Sequence, residues 1–276
     1  MKYLRFIIPI IIVLALGIFF LAKNRHTQAT PIPETPKTQA QEPVSPPAKV
    51  ADISKVPILT YHSFGPVPEK KETAMQLHYR VTSAMFDEQM KYLVDNGYHT
   101  ITFADLVENQ INGKPIPEKA IVLTFDDGWK SQYDFALPIL EKYKLTGTFF
   151  IITGSTGAKS YMTTDELKTL VAKGFEVASH TVSHPKLPTL DDTKMTTEIV
   201  SSKKALEEKL GVTIKTLAYP YYAHNQHVMD VVRQAGYIGA RAGWEKFSND
   251  PTHLFEMKSQ EPVNNPNPFA SKRIAG

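Results

Sequence analysis

Seven short apolar runs alternate with helical segments after residue 55, and this alternation constrains the fold more than any other feature. Alternating strands and helices indicate a parallel sheet. About seven such units predict a distorted (β/α) barrel of the TIM type, and an open doubly wound sheet is the alternative. The predicted strands are Val56–Tyr61, Tyr98–Thr102, Ala120–Phe125, Thr146–Ile152, Phe175–Ser179, Thr216–Tyr219 and Tyr237–Ala240.

The segments between these runs carry apolar residues at helical spacing. In the first, Phe86, Met90 and Leu93 follow the i, i+4, i+7 pattern, and Gly97 ends the helix. No Gly-x-Gly-x-x-Gly motif follows the early strands, which disfavours a dinucleotide-binding domain. The other predicted helices are Tyr133–Tyr143, Thr164–Lys173, Asp192–Leu210 and Asn225–Gln234.

Polar residues follow five of the predicted strands at the end where each strand stops. Parallel barrels carry their working residues at the C-terminal ends of strands, so we expect these side chains to converge. They are His62, the pair Asp126 and Asp127, the pair His180 and His184, Tyr221, and Arg241.

Two histidines four residues apart, His180 and His184, suit one shared metal ion. Two imidazoles and one carboxylate leave coordination positions open for water and substrate, and this set suits zinc, cobalt, nickel or iron. Asp126 and Asp127 do not both reach one metal easily, so one would ligate it while the other acts as a base. Taken alone, Asp-Asp-Gly is also ordinary turn chemistry. The chain has no cysteine, which excludes a zinc–thiolate site.

Three short motifs resemble those of a known family. Residues 124–128 (TFDDG) resemble the first motif of the polysaccharide deacetylases, the NodB homology domain of carbohydrate esterase family four. Residues 180–184 (HTVSH) resemble the second motif, and residues 217–221 (LAYPY) resemble the third. The family fold is a distorted (β/α) barrel, in agreement with the strand pattern.

The resemblance implies a metal-dependent hydrolase that removes acetyl groups from N-acetylglucosamine residues of a polysaccharide. By this resemblance, Asp127, His180 and His184 would bind a divalent metal, most simply zinc. Asp126 would be the general base, and the backbone N–H of Tyr221 would help to hold the oxyanion.

The chain departs from the family pattern at two positions. Ala218 stands where the third motif usually has an arginine that tethers the base, and Arg241 is our candidate replacement, a solvated arginine being the alternative. The usual late Leu-x-His is missing, whereas His62 follows the first strand. That placement resembles the subgroup that deacetylates poly-β-1,6-N-acetylglucosamine, and it makes His62 the candidate acid or acetate contact.

Aromatic side chains near these motifs are candidates for binding sugar rings. Trp129, Tyr221 and Trp244 would line the groove, since aromatic faces suit pyranose rings. Ordinary packing is the alternative for both tryptophans.

The N-terminal region differs in composition from the rest of the chain. Residues 6–22 carry no charge and follow Lys2 and Arg5, so residues 1–23 are predicted to be a signal peptide or membrane anchor. Residues 24–55 contain six prolines and no aromatic residue, which is typical of a disordered linker. The predicted enzyme domain, residues 56–276, would then lie on the extracellular face of the membrane, or be secreted to the cell wall after cleavage.

Several alternatives remain open at the level of sequence. Peptidoglycan and chitin oligomers compete with the β-1,6-linked polymer as substrates. A non-catalytic wall-binding module is a second possibility, and a zinc peptidase or amidase is a third, disfavoured because the chain has no His-Glu-x-x-His. The net charge of +3 gives no support for nucleic-acid binding, and we expect a monomer that meets the membrane only through its N-terminal segment.

Overall fold

The structure is a computed structural model that describes residues 51–65, 79–243, 249–262 and 265–270. The predicted anchor, most of the predicted linker and Trp244 lie outside these residues. None of the described helices combines the length and the apolar character that a membrane crossing requires. Ile53, which the sequence analysis placed in the linker, is 1% exposed and belongs to the core, so the folded domain begins before residue 56.

A seven-stranded parallel sheet forms the centre of the domain, as the alternation of strands and helices predicted. Its order is β1-β5-β6-β7-β8-β9, and β4 also pairs with β5. Two further short strands, β2 and β3, pair with each other. The strands are β1 Ile58–Tyr61, β2 Ser63–Gly65, β3 Arg80–Thr82, β4 His99–Ile101, β5 Ala120–Phe125, β6 Thr148–Ile151, β7 Glu176–Ser179, β8 Thr216–Ala218 and β9 Gly239–Arg241.

Within the described residues six α-helices connect the strands, and five of them match predicted segments. The helix that follows β4 was not predicted, although Thr102 and Asp105 form a capping box at its start. The segment that begins at Tyr133 is π-helical at first and becomes α-helical at Leu137, with Pro138 in the first α-helical turn. The helices are α1 Ser83–Asp95, α2 Phe103–Asn112, α3 Leu137–Tyr143, α4 Thr164–Ala172, α5 Asp192–Leu210 and α6 Gln226–Gln234.

The two faces of the sheet bury different sets of side chains. One face packs against α1, α3, α4, α5 and α6 and includes Leu123 and Phe149. The opposite, inner face includes Val122, Phe150 and Ala218, and α2 contributes side chains to it. Because successive side chains of a strand alternate between faces, every second residue of each strand points inward. Each fully buried apolar side chain stabilises the fold by about 1.5–3 kcal/mol.

An irregular segment near the C-terminus links the two edges of the sheet. The N–H of Gln260 donates to the carbonyl of Ile58 on β1, and the N–H of Thr60 donates to the carbonyl of Gln260. On the other side, Met257 exchanges hydrogen bonds with the β9 edge. The predicted barrel is therefore an incomplete one, in which residues 257–260 take the place of a further strand. No sequence pattern indicated this role.

Candidate metal centre

Asp127, His180 and His184 lie together at the C-terminal ends of β5 and β7. The Oδ1 atom of Asp127 is 3.6 Å from Nε2 of His180 and 3.5 Å from Nε2 of His184. One ligand atom from each residue lies within 4.8 Å of the others, which is the spacing of a three-ligand metal site. These are the three side chains that the motifs selected.

Both imidazoles are in a state suited to binding a metal. The Nδ1 atom of His180 lies 2.8 Å from the carbonyl oxygen of Ala218, which leaves Nε2 to face Asp127. Burial lowers the pKa of His180. Burial, followed by the neighbouring charge of His180, lowers the pKa of His184 to about 4. Neutral imidazole is the ligating form, so this donor set fits a divalent metal at neutral pH.

The carboxylate of Asp127 is oriented by Trp129. The indole Nε1–H donates to Oδ2 of Asp127 at 2.9 Å, while Oδ1 is the oxygen near the two histidines. The indole ring itself is stacked on Tyr161, with ring centroids 4.5 Å apart. Trp129 was predicted to line a sugar groove. It does line the cavity, and it also fixes which oxygen of Asp127 faces the histidines.

Left-handed backbone conformations concentrate at this centre. A non-glycine residue with positive φ costs on the order of 1–3 kcal/mol and persists only when its surroundings hold it. Such residues often mark functional sites. Five of the seven in the described chain lie here: Asp127 (φ 75°), Thr181 (67°), His184 (60°), Tyr221 (55°) and Tyr222 (58°).

Asp126 occupies the inner face next to the cluster, at the end of β5. It continues the alternation of Val122 and Thr124, whereas Asp127 departs from the strand with positive φ. Burial acts to raise the pKa of Asp126, but the guanidinium of Arg241, with smaller electrostatic contributions from neighbouring histidines, outweighs it and lowers that pKa. Within the described residues, its buried Oδ1 has no hydrogen-bond partner.

Arg241 reaches Asp126 from the end of β9. Its Nη2 donates to Oδ2 of Asp126, and its Nη1 donates to Ser259 Oγ at 3.0 Å and to Thr60 Oγ1 at 3.3 Å. The residue is 0% exposed, so the alternative of a solvated arginine is wrong. Ser259 belongs to the segment that links the sheet edges, and the sequence analysis missed it because that segment has no periodic pattern.

His62 lies beyond the end of β1 and approaches the same carboxylate oxygen of Asp126 as Arg241 does. Its Nε2 lies 3.7 Å from Oδ2 of Asp126, and its side chain is 16% exposed. The backbone carbonyl of His62 accepts a hydrogen bond from Gln132 Nε2 at 2.8 Å, and its ring meets Tyr79 edge to face at 4.8 Å. The imidazole is thus held beside the candidate base while part of it still faces the cavity.

These side chains surround a cavity of about 620 Å³. That volume is in the range of small-ligand sites. Tyr221, 59% exposed, forms part of the rim, and its ring lies 4.6 Å from that of His184. Tyr79 and Tyr222 also line the cavity, and Tyr79 was not predicted, since it does not directly follow a predicted strand. The predicted contribution of Trp244 lies outside the described residues.

The fold and the site together define a class. A cluster of two histidines and one aspartate, beside a second buried carboxylate, at the C-terminal ends of parallel strands, is the arrangement of a metal-dependent hydrolase.

Comparison with known proteins gives a family match for part of the chain. Residues 113–240 match the family Polysaccharide deacetylase. The chain is 31% identical over 189 residues to YxkH of Bacillus subtilis (strain 168), covering 68% of this chain and 64% of the relative. It is 30% identical over 173 residues to poly-beta-1,6-N-acetyl-D-glucosamine N-deacetylase of Staphylococcus aureus (strain NCTC 8325), covering 58% of this chain and 59% of the relative. The chain therefore spans about three fifths of the length of these curated relatives.

A solved structure agrees with this assignment. The Streptococcus pyogenes deacetylase PplD, solved in complex with acetate, has a TM-score of 0.70 and 26% identity to this chain. The match covers 78% of this chain and 95% of that one. Residues 113–240 thus match a polysaccharide deacetylase domain. The family match ends at residue 240, so His62 and Arg241 lie outside it.

Proposed function

We propose that this protein is a metal-dependent hydrolase that removes acetyl groups from N-acetylglucosamine residues of a polysaccharide. The observation that carries the proposal is the state of Asp126. Its charge is held by Arg241, yet the buried Oδ1 has no partner among the described residues. A binding module has no need of such an oxygen, whereas a general base needs one beside the metal ligands.

Asp127, His180 and His184 would hold the metal. A divalent metal there would supply Lewis-acid polarisation of the amide carbonyl and a lowered pKa for a bound water. Asp126 Oδ1 would accept the proton of the attacking water. The guanidinium of Arg241 keeps that carboxylate ionised and fixes its other oxygen, so the oxygen without a partner is the one left for catalysis.

His62 and the backbone of Tyr221 would assist departure of the amine and stabilise the oxyanion. His62 Nε2, 3.7 Å from Asp126 Oδ2, would donate a proton to the leaving amine or contact the departing acetate. The backbone N–H of Tyr221 would donate to the oxyanion, in a turn held at φ 55°. The products would be acetate and a sugar that carries a free amine.

The substrate that we favour is poly-β-1,6-N-acetylglucosamine. Similarity to the staphylococcal deacetylase of that polymer supports this choice, as does a histidine after the first strand, His62. Deacetylation would convert a neutral polymer into a polycation and change its adhesion to anionic surfaces. Peptidoglycan and chitin oligomers are the alternatives. We propose an extracellular location, with the N-terminal segment as a membrane anchor or cleaved signal, because polymers of this kind lie outside the cell.

Acetate release tests the proposal. The purified full-length chain, supplied with Zn²⁺ or Co²⁺, would be incubated with a β-1,6-linked N-acetylglucosamine pentamer, a chitin pentamer and peptidoglycan. We expect acetate from the β-1,6 pentamer, abolished by a chelator and restored by added metal. Release from only one of the other substrates would overturn the choice of polymer. A folded, metal-loaded chain that releases no acetate from any of them would overturn the deacetylase proposal itself.

A further inference from the structure

The loop between the two histidine ligands has an unfavourable backbone. Thr181 has φ 67° and His184 has φ 60°, so left-handed residues lie within and at the end of a five-residue stretch. Without contacts from outside, such a loop would relax and move the two imidazoles apart. Groups outside residues 180–184 must therefore hold the loop in this conformation.

One carboxylate outside the motif contacts the middle of the loop. Oε2 of Glu198 accepts hydrogen bonds from the backbone N–H groups of Val182 and Ser183, each at 2.8 Å. Its Oε1 accepts from the Ser183 hydroxyl at 2.6 Å.

The opposite side of the loop is held by the turn after β6. The N–H of Gly154 donates to the carbonyl of Val182 at 2.9 Å, and the N–H of Thr153 donates to that of Thr181 at 3.1 Å. A Cβ atom on Gly154 would lie 2.7 Å from the Val182 oxygen, so only glycine permits this approach. The peptide groups around Val182 are therefore fixed from two sides.

Glu198 is not needed to attach its own helix. Helix α5 buries Met195, Ile199 and Leu206 against the sheet, and these side chains anchor it. Glu198 is half-buried at the side of the helix, and the hydrogen bonds of its side chain within the described residues all go to the loop. A rigid helix thus presents a fixed acceptor to the segment that carries the ligands.

We infer that Glu198 is a positioning residue of the metal centre, which holds the 180–184 loop so that His180 and His184 face Asp127. It acts through geometry and not through its charge, because two of its three donors are backbone groups between the ligands. This inference rests on the proposed metal site and not on the identity of the sugar substrate.

Two substitutions distinguish the effect of the length of the Glu198 side chain from the effect of its charge. Glu198→Asp keeps the charge but shortens the side chain by about 1.5 Å, so it cannot reach both N–H groups. Glu198→Gln removes the charge but keeps an oxygen that can accept from Val182 and Ser183, while its amide can donate to the Ser183 hydroxyl. Glu208→Gln is the matched control, because Glu208 lies on the same helix and pairs with Lys204 at the surface.

The readouts are the Kd for Co²⁺ and the visible absorption spectrum of the bound Co²⁺, measured on the full-length chain. We expect Glu198→Asp to weaken Co²⁺ binding by about 10- to 100-fold and to change the spectrum, as loss of a group that orients ligands does. We expect Glu198→Gln to bind Co²⁺ with a Kd within about threefold of the wild-type value. That change is small beside the loss expected for Glu198→Asp. Glu208→Gln should match the wild type.

Three results would overturn the inference or its basis. If Glu198→Asp binds Co²⁺ with the wild-type Kd and spectrum, the loop does not need this contact. If Glu198→Gln loses as much affinity as Glu198→Asp, charge and not geometry is responsible. If the wild-type chain binds no Co²⁺, the metal site fails first. Should Glu198→Asp not fold, Ser183→Ala removes one of the three bonds from an exposed residue, and an unchanged Kd there would count against the inference.

Discussion

The guanidinium of Arg241 donates to the carboxylate of Asp126 across 115 residues of sequence, and both side chains are buried. We propose that Arg241 thereby takes the role that an arginine at the position of Ala218 would have in the family's usual third motif. Ala218 lies on the inner face of β8, and its carbonyl instead contacts His180. The candidate base Asp126 thus has a cationic partner, which comes from β9, the strand next to β8.

Replacing Arg241 should shift the pH dependence of activity. In Arg241→Met, burial would raise the pKa of Asp126 without the cation that now lowers it. The acid limb of the profile of kcat/KM against pH should therefore move to higher pH. Stability should fall by about 3–5 kcal/mol, because a buried charge loses its partner. Arg233→Met, which removes an arginine paired with Asp230 at the surface, is the control. An acid limb that stays in place would contradict the assignment of Asp126 as base.

Removing the charge of Asp126 should separate catalysis from metal binding. In Asp126→Asn we expect kcat to fall by about 10²- to 10⁴-fold, the usual contribution of a general base. The Kd for Zn²⁺ should change little, because the ligand cluster consists of Asp127, His180 and His184. Acetate release measures the fall in kcat, and calorimetry measures the Kd for Zn²⁺. Equal loss of metal binding and turnover would show that Asp126 is itself a ligand.

Removing the indole N–H of Trp129 should loosen the orientation of Asp127. Trp129→Phe keeps an aromatic ring to stack on Tyr161 but loses the donor to Asp127 Oδ2. We expect Zn²⁺ affinity to fall by about tenfold, at the lower end of the range for groups behind a metal ligand. Tyr161→Phe keeps both the stack and the N–H, and it should bind Zn²⁺ as the wild type does. If Trp129→Phe also binds normally, the hydrogen bond has no influence on the metal site.

The buried carboxyl of Glu176 should make the free energy of unfolding depend on pH, independently of the metal site. Its carboxylate accepts hydrogen bonds from Ala104 N, Thr148 Oγ1 and Thr216 Oγ1, and burial raises its pKa above the ordinary 4.5. The folded state therefore binds this proton more tightly than the unfolded state, so the carboxylate costs stability as pH rises above 4.5.

Glu176→Gln should remove that cost, because the amide oxygen can accept from Ala104 and Thr148 while the amide nitrogen donates to the Thr216 hydroxyl, without a charge. We expect it to be more stable than the wild type at pH 7, with the difference shrinking as the pH is lowered toward 4.5. Glu176→Ala should be less stable by about 1–3 kcal/mol, since it leaves buried donors unpaired. Urea unfolding at several pH values measures both. A Gln variant less stable than the wild type at pH 7 would contradict this account.

Much of the fold follows from local patterns. The continuous apolar run of β5, which is buried on both faces, and the glycines that end helices at Gly97, Gly174 and Gly211 can be read directly. The structure has strands and helices at those places. Helix α2 was missed although the Thr102 capping box was available, because the segment is short and follows a three-residue strand. The π-helical turn before α3 has no simple sequence signal.

The sequence by itself determined which chemistry is possible. Residues that follow a parallel strand must lie at one edge of the sheet, so Asp127, His180 and His184 could be expected together from their positions alone. Only the tertiary structure decided how they are supported. The pairing of Arg241 with Asp126, the link through residues 257–260 and the contact of Glu198 with the histidine loop all join segments far apart in sequence. Such contacts depend on how the sheet curls, which a single strand or helix does not specify.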